Sequence, residues 1–455
     1  MPTAYTILFL LLILVAAATW IIPAGSYDYV DGVPVAGTYH TVEQNPQGVG
    51  DVLKAAFSGF YDAVDVCIFI LMVGGFLGVV MKTGAVDAGV GNVIRLLGGR
   101  EKWLIPILML LFGLGGTTYG MWEETMAFYP LLIPVFLAAG YDAVVGISVI
   151  LLGAGAGVIA STVNPFATGI AAGFAGVSLG EGIVLRLLEW VAFEAAAIWF
   201  VMAYAAKVKK NPSKSVVGVG AGKIQVSMDQ QVPFTAKRKV IMALFTLTFL
   251  IMVYAVVPFD EMGLSLPALG WWFPELSALF LVAGVVIGLI DRISEEELVE
   301  TYVAGCADLL GVAFIIGISR GITVLMNDGA ITDTVLHWGE QALSGAGAIS
   351  FTLLVFALYL PLTILIPSSS GLATLSIPIV APLGKFAGVG GDLVVTAFQS
   401  ASGLVNIITP TAAVVMGALA LGHVPYDRWV KYVWKLILWF LLLALAFLVA
   451  GVLLG

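Results

Sequence analysis

Apolar runs recur from Thr3 to Leu454, each about as long as the roughly 20 residues a helix needs to cross a hydrocarbon core. No stretch of domain size and soluble composition separates them. Backbone at membrane depth has no water to bond, so runs of this length are read as helices that satisfy their own polar groups. With 60% of its 455 residues hydrophobic and 11% charged, the chain lies far from soluble domains. The expected fold class is an all-α polytopic membrane protein with one membrane domain and the lipid bilayer as its first partner. The run Ala4 to Ile22 is expected to be a retained first helix rather than a signal peptide, because no Lys or Arg precedes it and it is long enough to span.

The charges give an orientation. Lys207, Lys209, Lys210, Lys214, Lys223, Lys237, Arg238 and Lys239 stand against the single acid Asp229, so the positive-inside rule assigns this linker, and the N-terminus with it, to the cytoplasm. The stretch after the first helix holds Asp28, Asp31, Glu43 and Asp51 with only Lys54, and is expected outside. The stretch before Trp103 holds Lys82, Arg95, Arg100 and Lys102, and is expected inside. A multi-pass protein of the cell (inner) membrane follows. Basic residues gathered in a linker leave no footprint for nucleic acid.

The same stretches reveal self-similarity between the halves. Gly59 to Asp62 followed by Met81 to Ala85 resembles Gly305 to Asp308 followed by Met326 to Ala330. Further on, Pro130 and Pro134 match Pro378 and Pro382, Asn164 matches Asn406, and Gly180 with Arg186 matches Gly422 with Arg428. The order is kept throughout. Residues 1–206 are read as one repeat and 276–455 as a second. Between them, 207–275 holds the basic linker and a connecting helix near Val240 to Val257 that reverses the second unit in the membrane. The charges agree with inversion: the counterpart of the basic stretch, Asn327 to Gly347, has Asp328, Asp333 and Glu340 and no Lys or Arg.

Each half carries two interruptions. Trp103 to Phe112 is too short to cross and runs into Gly113-Leu114-Gly115-Gly116-Thr117-Thr118-Tyr119-Gly120. This predicts a re-entrant hairpin over about 103–139, entering from the cytoplasm, with the glycine run at its tip. Its counterpart spans about 349–384, with its tip at Ile366 to Gly371, entering from outside. After the hairpins, helices over about 143–178 and 393–421 are broken by Ser161-Thr162-Val163-Asn164-Pro165 and by the polar stretch from Gln399 to Thr411. Proline frees a carbonyl one turn earlier. Half-helix N-termini then suit an anionic group, while freed carbonyls and Ser, Thr or Asn oxygens suit a small cation such as Na⁺. The candidate substrate-binding residues are Thr117, Thr118, Glu123, Glu124, Asn164, Ser368, Ser369, Ser370, Asn406 and Thr409. The candidate Na⁺ ligands are Ser161, Thr162, Asn164, Ser402 and Asn406.

Ionisable residues at membrane depth are costly and are functional candidates by default. Glu123 and Glu124 follow the first tip, and because neighbouring helical residues point about 100° apart, one of them is expected to face the site. Asp62 and Asp308 lie near span ends and read equally as caps or interfacial groups. Arg320 is expected to pair with an acid, and Arg186 and Arg428, beside Trp190 and Trp434, are expected to anchor at the interface. Cys67 and Cys306 lie in apolar runs and read as core. His40, His337 and His423 fall in stretches read as loops, without shared spacing. No nucleophile with a base, no metal-ligand set, no cofactor motif and no ATP-binding loop is recognisable, which speaks against an enzyme and against primary pumping. A channel would want a ring of filter charges, and none is evident.

Thr19-Trp20-Ile21-Ile22-Pro23-Ala24-Gly25-Ser26-Tyr27, Gly116-Thr117-Thr118-Tyr119-Gly120 with Glu123-Glu124-Thr125, and Asn164-Pro165-Phe166-Ala167-Thr168-Gly169 together resemble the anaerobic C4-dicarboxylate carrier-like family. That family also contains proteins named as basic amino acid antiporters and falls within the ion transporter superfamily. The resemblance runs over nearly the whole chain. It implies a homodimer with a scaffold and a moving transport domain, opposed hairpins, and elevator-type alternating access. It also implies Ser-Asn-Thr-like motifs for Na⁺ and a substrate carboxylate, from which the tips here depart by lacking Asn. The function expected is secondary transport of a small carboxylate-bearing metabolite by Na⁺ or H⁺ coupling or by exchange. An amino acid, basic in particular, is favoured over a C4-dicarboxylate, because an acid after the first tip suits an amino group.

Overall fold

The computed structural model describes residues 4–31, 33–86, 88–89, 100–178, 180–218, 233–256, 266–267 and 269–454. Arg95, Lys223, Asp229 and Val257 lie outside the described residues. Helices dominate, as the apolar runs require: α1 Ala4–Ala18, α2 Val49–Asp62, α3 Val64–Lys82, α4 Leu104–Tyr119, α5 Tyr129–Ala138, α6 Ala143–Ile159, α7 Ile170–Ala175, α8 Ile183–Lys210, α9 Ala236–Val256, α10 Phe273–Asp291, α11 Glu295–Asp328, α12 Thr332–Leu343, α13 Ala348–Leu365, α14 Ser369–Phe386, α15 Gly391–Asn406, α16 Ala413–Leu421 and α17 Tyr426–Leu454. Among the described residues, six helices are long and apolar enough to cross a membrane.

The helices pack as two groups. In one, α11 lies along α1, α2 and α3, and α10 lies along α3. In the other, α6 packs on α4, α5, α8 and α15, while α13 and α17 pack on α15. The groups meet where α11 touches α16, and where the short 3₁₀ segment Glu123–Phe128 touches both α3 and α16. The site lies at this seam.

Ion pairs gather the basic stretches at one end. Lys82 Nζ lies 2.8 Å from Glu297 Oε1, Lys209 Nζ 3.1 Å from Glu101 Oε2, and Lys237 Nζ 2.6 Å from Asp291 Oδ1. The acidic stretches meet elsewhere: Asn45 Nδ2 donates to the Asp328 carbonyl at 2.9 Å, and the Tyr27 hydroxyl donates to Glu340 Oε2 at 2.8 Å. Burial first, then that carboxylate, pushes the Tyr27 hydroxyl well up from its ordinary range.

The structure departs from the sequence reading in several places. The first apolar run is helical only to Ala18 and ends in a turn at Thr19–Ile22, whose backbone bonds back to Val15–Ala18. The loop after it carries two short antiparallel ribbons, with Gly25 and Ser26 opposite Thr41 and His40, and Tyr29 and Val30 opposite Pro34 and Val33, so the chain is not strictly all-α. His337 lies in helix α12, not in a loop, because Thr332 to Leu343 folds as an amphipathic turn of chain against α13 and α14. The glycine run Gly113 to Thr118 is helix, part of α4, and the chain turns at Gly120 instead. Small residues there serve close approach of backbones: a methyl added at Gly116 would collide with the Ala154 carbonyl, and one at Gly157 with the Gly113 carbonyl. Likewise Gln399 to Gly403 stays helical within α15, and the interruption is confined to 407–412.

Candidate functional site

Four turns of chain build the site. The first follows α4, where Gly120 takes a left-handed conformation (φ 77°) that only glycine adopts without strain. A side chain there would strike the amide of Asn164, so the turn is seated directly on the interruption after α6. That interruption covers 160–164 and returns to helix through a single π-type turn, Pro165–Gly169. The third turn is Ile366 to Ser368 between α13 and α14, and the fourth is the 407–412 interruption between α15 and α16.

These turns enclose a cavity of about 200 Å³. Of the residues singled out from sequence, Glu123, Glu124, Asn164, Ser368, Ser369, Ser370 and Asn406 line it together. Both glutamates line it, contrary to the expectation of one; they open the 3₁₀ segment Glu123–Phe128, which follows directly on the turn at Gly120. Glu124 Oε2 also accepts from the Trp122 backbone N–H at 3.1 Å, so one of its oxygens holds the turn. Ser368 caps α14, its Oγ accepting from Gly371 N–H at 3.2 Å. The N-termini of α14 and α16 both open onto the cavity through Ser369 and Ser370 and through Ala413 and Val414.

The remaining candidates do not line the cavity, and most are structural. Thr117 donates to the Ala160 carbonyl at 2.8 Å, and its own carbonyl accepts from Thr162 N–H at 2.9 Å and Val163 N–H at 3.2 Å. Thr162 Oγ1 donates to the same carbonyl at 3.0 Å. Thr117 and Thr162 thus stitch the first turn to the first interruption and satisfy backbone groups that the broken helix leaves open. Thr118 donates to the Leu114 carbonyl of its own helix at 2.6 Å. Thr409 Oγ1 lies 2.8 Å from Thr411 Oγ1 inside the second interruption. Ser161 and Ser402 are fully buried, and among the described residues their hydroxyls make no hydrogen bond.

Other residues at the site were not singled out as ligand-facing. Asp62, Asp65, Trp122, Trp272, Ser319 and Arg320 also line the cavity. Arg320 Nε lies 3.8 Å from Asp62 Oδ2, which supplies the acid partner expected for it and makes Asp62 more than a cap. The carbonyls freed by the second interruption are taken by side chains: Tyr426 donates to Ile408 at 2.8 Å, Trp429 Nε1 to Ile407 at 3.1 Å, and Ser319 to Thr411. The first interruption is served in the same way by Arg186, which is 2% exposed and donates from Nη2 to the Thr162 carbonyl at 3.3 Å. Arg186 is therefore not an interfacial anchor, whereas Arg428 lies exposed beside Asp427 at 3.6 Å. The signal that separates the two is the break eighteen or more residues upstream, which one helix answers with an arginine and the other with an indole and a phenol. Along α11 and α16 lies a second, larger opening of about 990 Å³, lined by Asp308, Met416, His423 and Arg428 among others.

A family model described as the C4-dicarboxylate anaerobic carrier matches residues 1–453. An uncharacterised protein of Haemophilus influenzae (strain ATCC 51907 / DSM 11121 / KW20 / Rd) is 35% identical over 503 residues, covering 99% of this chain and 97% of that protein. The protein named "Putative basic amino acid antiporter YfcC" of Escherichia coli (strain K12) is 30% identical over 480 residues, covering 95% and 92%. Among solved structures, the YdaH transporter of Alcanivorax borkumensis matches at 14% identity and a TM-score of 0.44, with 98% of each chain covered. MtrF of Neisseria gonorrhoeae matches at 18% and 0.43, with 98% of this chain and 94% of that one covered. With a family match over almost its full length and curated relatives of the same extent, this multi-pass membrane chain belongs to the C4-dicarboxylate anaerobic carrier family of membrane transporters.

Proposed function

We propose that the chain is a secondary transporter whose cavity takes a small amino acid with a cationic side chain. The observation that carries this reading is the charge of the lining: Asp62, Asp65, Glu123 and Glu124 against Arg320, the one basic residue among the described residues there. Charges removed from water need opposite charge close by. A ligand with one carboxylate and two cationic groups offsets this excess, with its carboxylate at the N-termini of α14 and α16, where backbone N–H groups and helix dipoles favour an anion. The cavity is smaller than the ~300 Å³ at which drug-sized pockets begin, in keeping with a metabolite. The name carried by the Escherichia coli relative agrees with this class. A C4-dicarboxylate is the second reading, favoured by the family's description and by Arg320; under it the glutamates would carry protons or Na⁺.

The mechanism that fits is alternating access. The turns at Gly120 and at Ile366 to Ser368 are read as tips of opposed re-entrant hairpins within two inverted repeats, 1–206 and 276–455. The α1–α3, α10 and α11 group is read as a scaffold, and the α4–α8 and α13–α17 group as the part that moves. The larger opening along α11 and α16 would then be the path toward the basic, cytoplasmic side. A homodimer in the inner membrane, with the N-terminus and the 207–239 linker inside, completes this reading. For a coupling cation, Ser161 and Ser402 are the donors of choice, since a buried hydroxyl without a partner carries a cost that a bound cation removes; Asn164 and Asn406 stand beside them in the two interruptions.

The test is thermal stabilisation of the purified protein by L-arginine, L-lysine, neutral amino acids, succinate and fumarate, each in Na⁺ and in K⁺, since a ligand selective for the folded state raises its stability. Stabilisation by arginine or lysine is expected. Stabilisation by succinate or fumarate alone would reject the cationic ligand and favour the second reading.

A further inference from the structure

Behind the two interruptions, on the side away from the cavity lining, α8 carries a polar layer that the site does not use. Glu189 is fully buried. Its Oε1 accepts from the Ser400 hydroxyl of α15 at 2.8 Å, and among the described residues its Oε2 has no hydrogen-bond partner. One turn earlier on the same helix, Arg186 lies close enough to both Glu189 and Asp392 for electrostatic attraction, and donates to the Thr162 carbonyl of the first interruption. Asp392 and Arg186 crowd Gly182, where an added methyl would lie 2.9 Å from Asp392 Oδ2 and 3.3 Å from Arg186 Nη1. Among the described residues, then, one guanidinium faces two carboxylates. The other groups around Glu189 are neutral: Ser400, and Gln399, which donates to the Val158 carbonyl. Glu194, further along α8, faces Gly113 of α4 instead.

We propose that Glu189 is a proton-binding site of the transport cycle, the proton residing on Oε2, the oxygen that the fold leaves without a partner. The inference rests on the secondary-transport reading above and adds the identity and place of a coupling ion. Arg186 is shared with Asp392, which is half-buried, and Glu189 is fully buried, so one positive charge against two negative ones leaves a deficit of one that a proton on Glu189 removes from the buried position. With Glu189 neutral, Arg186 is shared between Asp392 and the Thr162 carbonyl. With Glu189 ionised, the guanidinium is drawn along its own helix toward Oε2, and the Thr162 carbonyl loses its donor. Thr162 lies two residues before Asn164, which lines the cavity, so occupancy of the proton site is felt at the ligand site through one short piece of non-helical backbone. Only a proton moves: it leaves Oε2 for water on one side of the membrane and returns from the other.

The experiment uses the full chain in lipid vesicles and two readouts. Infrared spectroscopy across a pH series follows the carbonyl stretch of protonated carboxyl groups in wild type and in Glu189→Gln, with no substrate present. The expected result is a protonated-carboxyl band at neutral pH in wild type that is reduced in the variant; identical spectra would overturn the proposal. The second readout is uptake of L-arginine, either by counterflow or driven by a pH gradient. In Glu189→Gln, counterflow is expected to persist while gradient-driven accumulation falls at least tenfold. Accumulation unchanged from wild type would overturn the coupling role. If arginine is not transported at all, the substrate reading fails while the infrared result still decides whether Glu189 binds a proton. Should Glu189→Gln not fold, Ser400→Ala keeps the carboxyl and removes its hydrogen bond. The pH midpoint of the band is then expected to move, and an unmoved midpoint would overturn the proposal.

Discussion

Glu123 and Glu124 are neighbours in sequence with unequal commitments. Glu124 spends one oxygen on the Trp122 N–H, while the backbone group that bonds the Glu123 carboxylate is that of Glu123 itself. Neutralising Glu123 is therefore expected to act on ligand and neutralising Glu124 on both ligand and fold. Glu123→Gln should weaken L-arginine binding by about tenfold or more, the loss of one charge-assisted bond of roughly 1.5–3 kcal/mol, with an unchanged melting temperature. Glu124→Gln should weaken binding and lower the melting temperature as well. Titration calorimetry and thermal unfolding on the same preparations separate the two. Gly120 offers a purely structural check. Gly120→Ala places a side chain in a left-handed conformation that costs about 1–2 kcal/mol, and drives it into Asn164, so both stability and ligand affinity are expected to fall; a variant with wild-type melting behaviour would contradict the turn described here. Asn164, Asn406 and the three serines were legible in sequence because polar residues beside proline or glycine in an apolar run have few other reasons to be there. Arg186 was not, since its partner is a backbone carbonyl and carries no residue signature.

At the scale of elements, the stretches marked in sequence overlap the turns at Gly120 and at Ile366 to Ser368 and the break at 160–164, whereas the break expected from Gln399 opens only at 407. Glycine marks both chain turns and close helix contacts, and the run Gly113 to Gly116 proves to be of the second kind, with the turn displaced to Gly120. Thr117, read as a ligand, instead fastens α4 to the interruption after α6 through its hydroxyl and its carbonyl. Thr117→Val removes the hydroxyl while keeping the shape, leaving the Ala160 carbonyl without its donor. A loss of about 1–3 kcal/mol is expected for a buried group left unpaired, seen as a lower melting temperature, with ligand binding reduced only as far as the interruption loosens. A variant with unaltered stability and abolished binding would return Thr117 to the ligand shell. The second half reaches the same end by other chemistry, with Tyr426, Trp429 and Ser319 on the freed carbonyls. The two interruptions thus share the need for a donor rather than the residue that meets it, and residue matching alone does not find it.

Across the whole molecule, two groups of helices meet at a seam, and the cavity sits in that seam with contributions from both. Helices α2, α3 and α11 bring Asp62, Asp65, Ser319 and Arg320, and the other group brings the turns and helix N-termini. The loops' charges and the spacing of apolar runs made the layout legible. The seam itself was not, because what places Asp62 and Arg320 opposite Glu123 is the packing of α11 on α2 and α3, which no local pattern encodes. A site divided in this way is negatively charged as a whole while its helix ends remain positive, a combination expected to select a cationic amino acid. Counterflow of radiolabelled L-arginine into vesicles loaded with unlabelled arginine, set beside succinate counterflow in the same vesicles, tests it most directly. Arginine counterflow is expected, inhibited by unlabelled lysine but not by succinate, and weakened by Glu123→Gln in step with its loss of affinity. Succinate counterflow without arginine counterflow would contradict it.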